Sequence, residues 1–515
     1  MRKMKKILIV LFAGAIAACS DFLEPKSQSE YIPKEATALN EMLLGEAYPM
    51  LSGGDNAKSL LDIVSILDDD VMCTDTPGVI NSSVTESNAS EFILLRALFS
   101  WQPDVCVVAE NYESPLKCWG NYYTYILGAN AALDYVDGVS GTEDEKNIVK
   151  AQALALRGFY YFYLVNIWGE SYSQNKAGLG VPLKLTSGLE KRDISRNTVE
   201  EVYERILKDL NEAERLYGEL PESLRFKKDY RTSLPMVQLL KSRVYLYMED
   251  WKNAAIYAKK VIEDWDFALT DLNNLPKDSY YNFISMDCTE AIWVFGSIAE
   301  YMTYLDVNVY IDDPMDDEEH ISVKFFNASD KLLKLYTDGD LRKANYVLHE
   351  RYNDSWGNQY EGNYLAVGKF AINPDHNVAA RSGFAHAFRL PEAYLNLAEA
   401  AAMDKDDETA LWALNELRKM RFAKEKYKSV SGLSGEVLVE RIRLERRLEL
   451  CFEGHRWFDL KRYGTTQVEH QWKMEGKLVQ TYLLPENDPF YAFPLSRDVL
   501  EQNKSLEQNK LPNPR

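Results

Sequence analysis

Helical periodicity runs through most of this chain and confines it to a fold built mainly from packed helices. Apolar residues recur at three- and four-residue spacing from Ala36 to Leu51, Trp119 to Val136, Asn147 to Trp168 and Asn197 to Tyr217. They do so again from Pro235 to Met248, Trp251 to Glu263, Glu392 to Met403, Asp406 to Arg421 and Leu433 to Glu453. Asn197 stands where an N-cap is needed, Asp250 caps the helix that follows it, and Pro235 and Pro391 open theirs. Asn147 to Trp168 is long and strongly apolar, with Gly169 at its end.

Gln238 to Tyr247 and Ala393 to Ala400 are each followed by a short polar turn, then by a helix with alanines at close-packing positions. These are Ala254, Ala255 and Ala258 in one and Ala410 and Ala413 in the other. The plan resembles the helix–turn–helix unit of tetratricopeptide repeats, whose stacked pairs make a rigid scaffold. The expected fold is mostly α: a tetratricopeptide-like helix-pair scaffold with long irregular loops and a few short strands. The scaffold takes roughly residues 36–51, 119–263 and 388–462. Loop regions, roughly 55–118 and 264–387, contain long stretches rich in Asp, Asn, Ser, Gly, Tyr and Trp, and loops that long usually carry function. Residues 463–515 are polar and Pro-containing and are expected to wrap the surface.

The start of the chain reads as an export signal. Met1 to Lys6 is basic, Ile7 to Ala18 is apolar and then small, and Cys19 follows. The apolar run is too short to span a bilayer comfortably. Small residues before a cysteine resemble a lipobox, in which residues 1–18 are removed and the Cys19 thiol is acylated. Such an anchor is firm, since each buried CH₂ adds about 0.8 kcal/mol. Residues 19–515 are then expected to form a single body tethered to a membrane.

Charge and motifs narrow the chemistry. The formal net charge is -20, and an acidic surface repels phosphate backbones, so nucleic acid is not an expected partner. None of the six cysteines lies in a CxxC; Cys106 and Cys118 are a candidate disulfide, with buried free thiols as the alternative. HExxH, GxSxG and glycine-rich phosphate loops do not occur. Asp and Glu number 79, too many for any one pair to point to hydrolysis. Asp68-Asp69-Asp70, and Asp312-Asp313 with Asp316-Asp317, have the oxygen ligands for Ca²⁺ but read more simply as solvated loop charge. The chain is expected to bind rather than to catalyse, with no cofactor.

Three stretches carry a family resemblance. The first is Ala151 to Val165, continuing to Trp168-Gly169 and Gly180-Val181-Pro182-Leu183. The second is Phe388 to Ala400, followed by Leu414 to Arg418, and the third is Glu445 to Arg462. With a weaker fourth from Trp119 to Asn130, they resemble the SusD/RagB family of outer-membrane nutrient-binding lipoproteins. Pro391 stands where that family usually has Ala. The resemblance implies a lipoprotein on the outer face of the outer membrane. It implies a SusC-type TonB-dependent transporter beneath, and capture of glycans, or in some branches peptides, for passage inward.

The motif residues themselves read as scaffold. Arg157, Tyr160 and Tyr161 are expected to pack between repeat helices. Glu445, Arg446, Arg447, Glu449 and Glu453 have the spacing of helix-surface ion pairs. Gly454 fits a helix C-cap, and His455, Arg456, Trp457 and Asp459 a partly buried polar cluster. Ligand contacts are sought in the loops instead. A sugar ring has apolar C–H faces and polar edges, so it needs flat aromatics beside hydrogen-bonding groups. The candidates are Trp101 with Asp69 and Asp70 upstream, Tyr301, Tyr304 and Tyr310, and Trp356 with Tyr360. Trp293 reads as a strand residue of the core. Glycan capture is the leading expectation; a peptide or glycopeptide binder, a protein-only helical-repeat adaptor and a glycoside hydrolase are the alternatives.

Overall fold

The computed structural model describes residues 33–49, 59–75, 89–111, 116–189, 193–275, 281–298, 304–305, 307–313, 316–365, 369–370, 383–464 and 466–515. Cys19 and the expected lipobox lie outside them. Helix α1 (Ala36–Glu46) stops before Leu51, because Pro49 cannot continue it. The segment expected as loop at 55–118 holds α2 (Ala89–Phe99) and α3 (Val105–Asn111). Helix α4 (Cys118–Tyr135) packs on α5 (Glu143–Trp168), and α5 on α6 (Val199–Glu219). Helix α7 (Leu234–Tyr247) packs on α8 (Trp251–Glu263), and α8 on α9 (Leu390–Met403). That helix also carries α10 (Asp407–Lys419) and α11 (Gly435–Leu450); α12 (Arg456–Tyr463) and α13 (Arg497–Gln502) follow.

Helix α5 is the spine. A capping box starts it: Thr142 accepts from the Glu145 N–H, and the Glu145 carboxylate accepts from the Thr142 N–H. Every residue from Ala151 to Trp168 is buried. Gly158 lets α6 come close, since a Cβ there would stand 3.0 Å from Leu210 Cδ2. Arg157 donates to both carboxylate oxygens of Asp209 on α6, at 2.7 and 2.8 Å, and to Asn130 of α4 at 2.8 Å. Arg243 of α7 grips Glu392 of α9 the same way, twice at 2.6 Å, and reaches Tyr163 of α5 at 2.7 Å. Lys461 of α12 closes the C-terminal end of α5, donating to the carbonyls of Asn166 and Gly169 at 2.7 and 2.6 Å. Asp250 and Asp406 cap their helices; the cap of α6 is Thr198 rather than Asn197, because Thr198 and Glu201 form a second capping box. Asn197 Oδ1 instead accepts from the Leu183 N–H.

One choice the sequence leaves open is decided here and one expectation is corrected. Cys106 and Cys118 are buried thiols that form no disulfide with each other, the first donating to the Pro494 carbonyl and the second to Asp62 at 3.0 Å. Glu445, Arg446 and Glu449 are not on a helix surface: all three are completely enclosed, and Glu453 nearly so. They form a seam between α11 and the segments packed on it. Glu449 accepts from Arg421 at 2.9 and 3.0 Å and from the Tyr346 hydroxyl at 3.0 Å. Glu453 takes Arg389 at 2.9 Å, Glu445 takes Arg342 at 2.7 Å, and Glu290 takes Arg389 and Arg421 at 2.7 and 2.6 Å. Burial alone would raise the Glu449 pKa, but Arg421, Arg389 and Arg342 around it hold it well below the usual carboxylate range.

Among the described residues, strands come as two-stranded antiparallel ladders. These pair β1 (Val71–Cys73) with β5 (Phe326–Ala328) and β2 (Ala291–Ser297) with β8 (Phe384–Arg389). They also pair β3 (Asn308–Asp313) with β4 (Asp316–Lys324), β6 (Leu348–Asn353) with β7 (Gln359–Leu365), and β9 (Val468–Met474) with β10 (Lys477–Leu484). Trp293 on β2 is fully buried. Beyond residue 463 the chain does more than wrap: it forms the β9–β10 hairpin and sends Phe490 and Phe493 into the core.

Candidate functional site

Several expected ligand contacts turn out to be internal. Trp101 is fully buried; its indole N–H donates to the Leu67 carbonyl at 2.9 Å, and its ring stacks on His470 at 4.3 Å. It has no face left for a ligand. Asp69 accepts from Arg456 at 2.8 and 3.1 Å, and Asp70 from Arg447 at 2.7 Å. Burial alone would raise Asp69, but Arg456 and Arg447 hold it well below the usual carboxylate range. The two aspartates clasp β1 to α11 and α12. Tyr304 is also buried, which pushes its hydroxyl pKa up, with Asp62 and Cys118 adding to the rise. Tyr301 lies outside the described residues; Tyr360 stands opposite Tyr352 in the β6–β7 register, and its side chain is not among those described.

Tyr310 and Trp356 are different. Along β3 the residues alternate, so Val309, Ile311 and Asp313 turn inward while Asn308, Tyr310 and Asp312 face solvent. Tyr310 pairs with Ser322 and Asp312 with His320, which brings the Tyr310 and His320 rings to 6.4 Å on the outer face. The β6–β7 turn is built by one carboxylate. Asp354 Oδ1 accepts from the Trp356 and Asn358 N–H groups at 3.0 and 2.6 Å, and Oδ2 accepts from the Asn358 amide at 2.6 Å. Gly357 takes the left-handed conformation, φ +81°, that closes the turn.

A hydrogen bond joins the two hairpins. The buried Asp313 of β3 accepts from the Ser355 N–H at 2.6 Å. The backbone at the tip is thus fastened from two sides, yet the Trp356 indole is 73% exposed. Asp312, His320, Ser355 and Asn358 are exposed on the same two hairpins. The arrangement offers two aromatic rings and several hydrogen-bonding edges on a fixed backbone. The sequence singles out both rings and gives Asp354 and Gly357 no role; Asp313, which reads there as solvated loop charge, is instead buried beneath the turn. The run Asp354-Ser355-Trp356-Gly357-Asn358 carries a turn signal that names Asp354 and Gly357; nothing local marks Asp313. Among the described residues, no group of three or more His, Cys, Asp or Glu is placed to hold a metal ion. Among them, too, no helix is long and apolar enough to cross a membrane.

A helix-pair scaffold that fixes hairpins with exposed rings defines a scaffolded binding protein. The chain belongs to the SusD family, whose model matches residues 242–512. A second model, described as "Starch-binding associating with outer membrane", matches residues 21–246. The chain is similar to SusD-like protein P38 of Formosa agariphila, at 23% identity over 99% of each. It is also similar to a SusD-like protein of Bacteroides ovatus, at 24% identity over 89% of this chain and 82% of that one. Its fold matches a solved SusD-like carbohydrate binding protein of Bacteroides vulgatus, with a TM-score of 0.65 at 22% identity, over 93% of this chain and 99% of that one. A SusD superfamily protein of Bacteroides thetaiotaomicron gives the same TM-score, 0.65, at 20% identity, over 92% of this chain and 100% of that one.

Proposed function

We propose that this chain is a surface lipoprotein of an outer membrane, anchored through Cys19, that captures a glycan and passes it to a SusC-type TonB-dependent transporter. The observation that carries the reading is the Trp356 indole, 73% exposed on a turn held by Asp354 and Asp313. A ring displayed on fixed backbone gives stacking area at little ordering cost. Tyr310 adds a second ring, and Asp312, His320 and Asn358 offer partners for sugar hydroxyls. Family membership supports the glycan as ligand and the outer membrane as place. Binding rather than hydrolysis is assigned from family membership.

Affinity electrophoresis through gels cast with a panel of plant, host and microbial polysaccharides tests this. One polysaccharide should retard the native chain, and Trp356→Ala should run through the same gel unretarded. A Trp356→Ala variant retarded as strongly as the parent would remove the hairpin site, and a panel with no retardation would remove the glycan.

A further inference from the structure

We propose that a groove between the N-terminal end of α4 and helix α13 is a second carbohydrate site, sized for one or two sugar rings. The proposal rests on the glycan reading above. It concerns different elements, and none of the residues singled out in the sequence as ligand contacts line it. The groove encloses about 330 Å³, within the range of sites that hold small molecules. Two further recesses, of about 20 and 10 Å³, have room for a water at most.

The lining has the two-part chemistry that a sugar needs. Tyr123, half-buried, forms the aromatic part; Trp119 is buried behind it, with the ring centroids 5.2 Å apart, and shows the groove only an edge. Both rings are fixed. Trp119 is wedged edge-on against Trp168 at 5.1 Å, and the Tyr123 hydroxyl donates to the Pro182 carbonyl at 2.8 Å. The rim is polar: Lys184, Gln502 and Asn503 line it. Asn503 is braced by donating to the Ile194 carbonyl at 2.8 Å and accepting from the Ser505 N–H at 3.1 Å, and the Gln502 amide is exposed. The lining includes no carboxylate.

Gly120 is the second observation. It lines the groove beside the two rings, as the third residue of α4. Packing does not explain it, because a Cβ there would meet nothing within 4 Å. Its backbone does not explain it either, since it is not among the glycines of positive φ. What the missing side chain leaves is bare backbone facing the open groove, where a ring can approach closely.

The test is calorimetric titration of the full chain, purified in detergent, with four trisaccharides: α-1,4-, β-1,4- and β-1,3-linked glucose and β-1,4-linked xylose. At least one should fill two sites per chain. Gly120→Phe, for which the helix has room, should bring the stoichiometry to one and leave the remaining affinity within about twofold, while Gly120→Ala keeps the second site with at most about tenfold weaker binding. Trp356→Ala should remove the other site and leave the one that Gly120→Phe abolishes. Single-site binding lost entirely in Trp356→Ala, or two-site binding untouched by Gly120→Phe, would overturn the groove and leave the hairpin reading standing. If none of the four binds the parent chain, the glycan reading falls on this panel and the groove falls with it.

Discussion

In the seam beneath α11, Glu445, Glu449 and Glu453 meet Arg342, Arg389 and Arg421 almost entirely out of water. At the hairpins, Asp313 and Asp354 are nearly as enclosed, but the bonds described above come from backbone N–H groups and one amide. The difference lies in what each carboxylate holds. In the seam, charge pairs tie segments far apart in sequence to one helix. At the hairpins, carboxylates fix a few residues of main chain so that one indole stays in water. Aromatic residues divide likewise: Trp293 and Trp457 are core, and Trp356 is surface.

Breaking the seam should cost most. Glu449→Ala leaves Arg421 with Glu290 as its one remaining carboxylate and takes the acceptor from the Tyr346 hydroxyl, and loss of one partner of a buried pair costs about 3–5 kcal/mol. Denaturant unfolding checks it; a loss below about 1 kcal/mol would mean that the seam does not hold the two regions together.

Next comes Lys461, whose ammonium burial brings its pKa from 10.5 down to about 7. Between those values the unfolded chain holds a proton that the folded chain has released, so stability rises with pH across this window. From pH 7 to 9 the native chain should gain on the order of 2 kcal/mol over Lys461→Met, seen as a difference in the slopes of their denaturant midpoints against pH. Parallel slopes would show that Lys461 keeps its proton.

Asp354→Ala should be local. It removes the acceptor for three donors of one turn, costing about 1 kcal/mol, while amide exchange over residues 353–360 speeds up and exchange in α5 does not. Uniformly faster exchange would erase the contrast between seam and tip. Trp356→Ala should be smallest in stability, within about 0.5 kcal/mol, although it removes hairpin binding. A larger loss would make Trp356 a packing residue.

What could be read in advance was what neighbours in sequence decide. Asp250 and Asp406 cap their own helices, and Asn353 to Tyr360 announces an aromatic turn. Arg157 reads as a residue between helices because its own helix is apolar around it, and it does bridge α4 and α6. Trp101 reads as a loop residue, since Ser100 and Gln102 beside it are polar. What buries it, His470 and the Leu67 carbonyl, comes from elsewhere in the chain. Asp69 and Asp70 looked like solvated loop charge for the same reason: Arg447 and Arg456 lie far downstream. The charges of α11 have the spacing of surface ion pairs whether their partners are on the same helix or across a buried interface. The Asp313 to Ser355 bond joins two hairpins that no local signal relates.

The turn at Asp354 is specified by a carboxylate, a glycine and main-chain bonds, and the side chain at 356 takes no part in its closure. Position 356 is therefore an interchangeable socket. Its occupant can be replaced over generations without re-solving the fold, so under the function proposed above a change of ligand needs a change at the tip alone while the seam stays as it is.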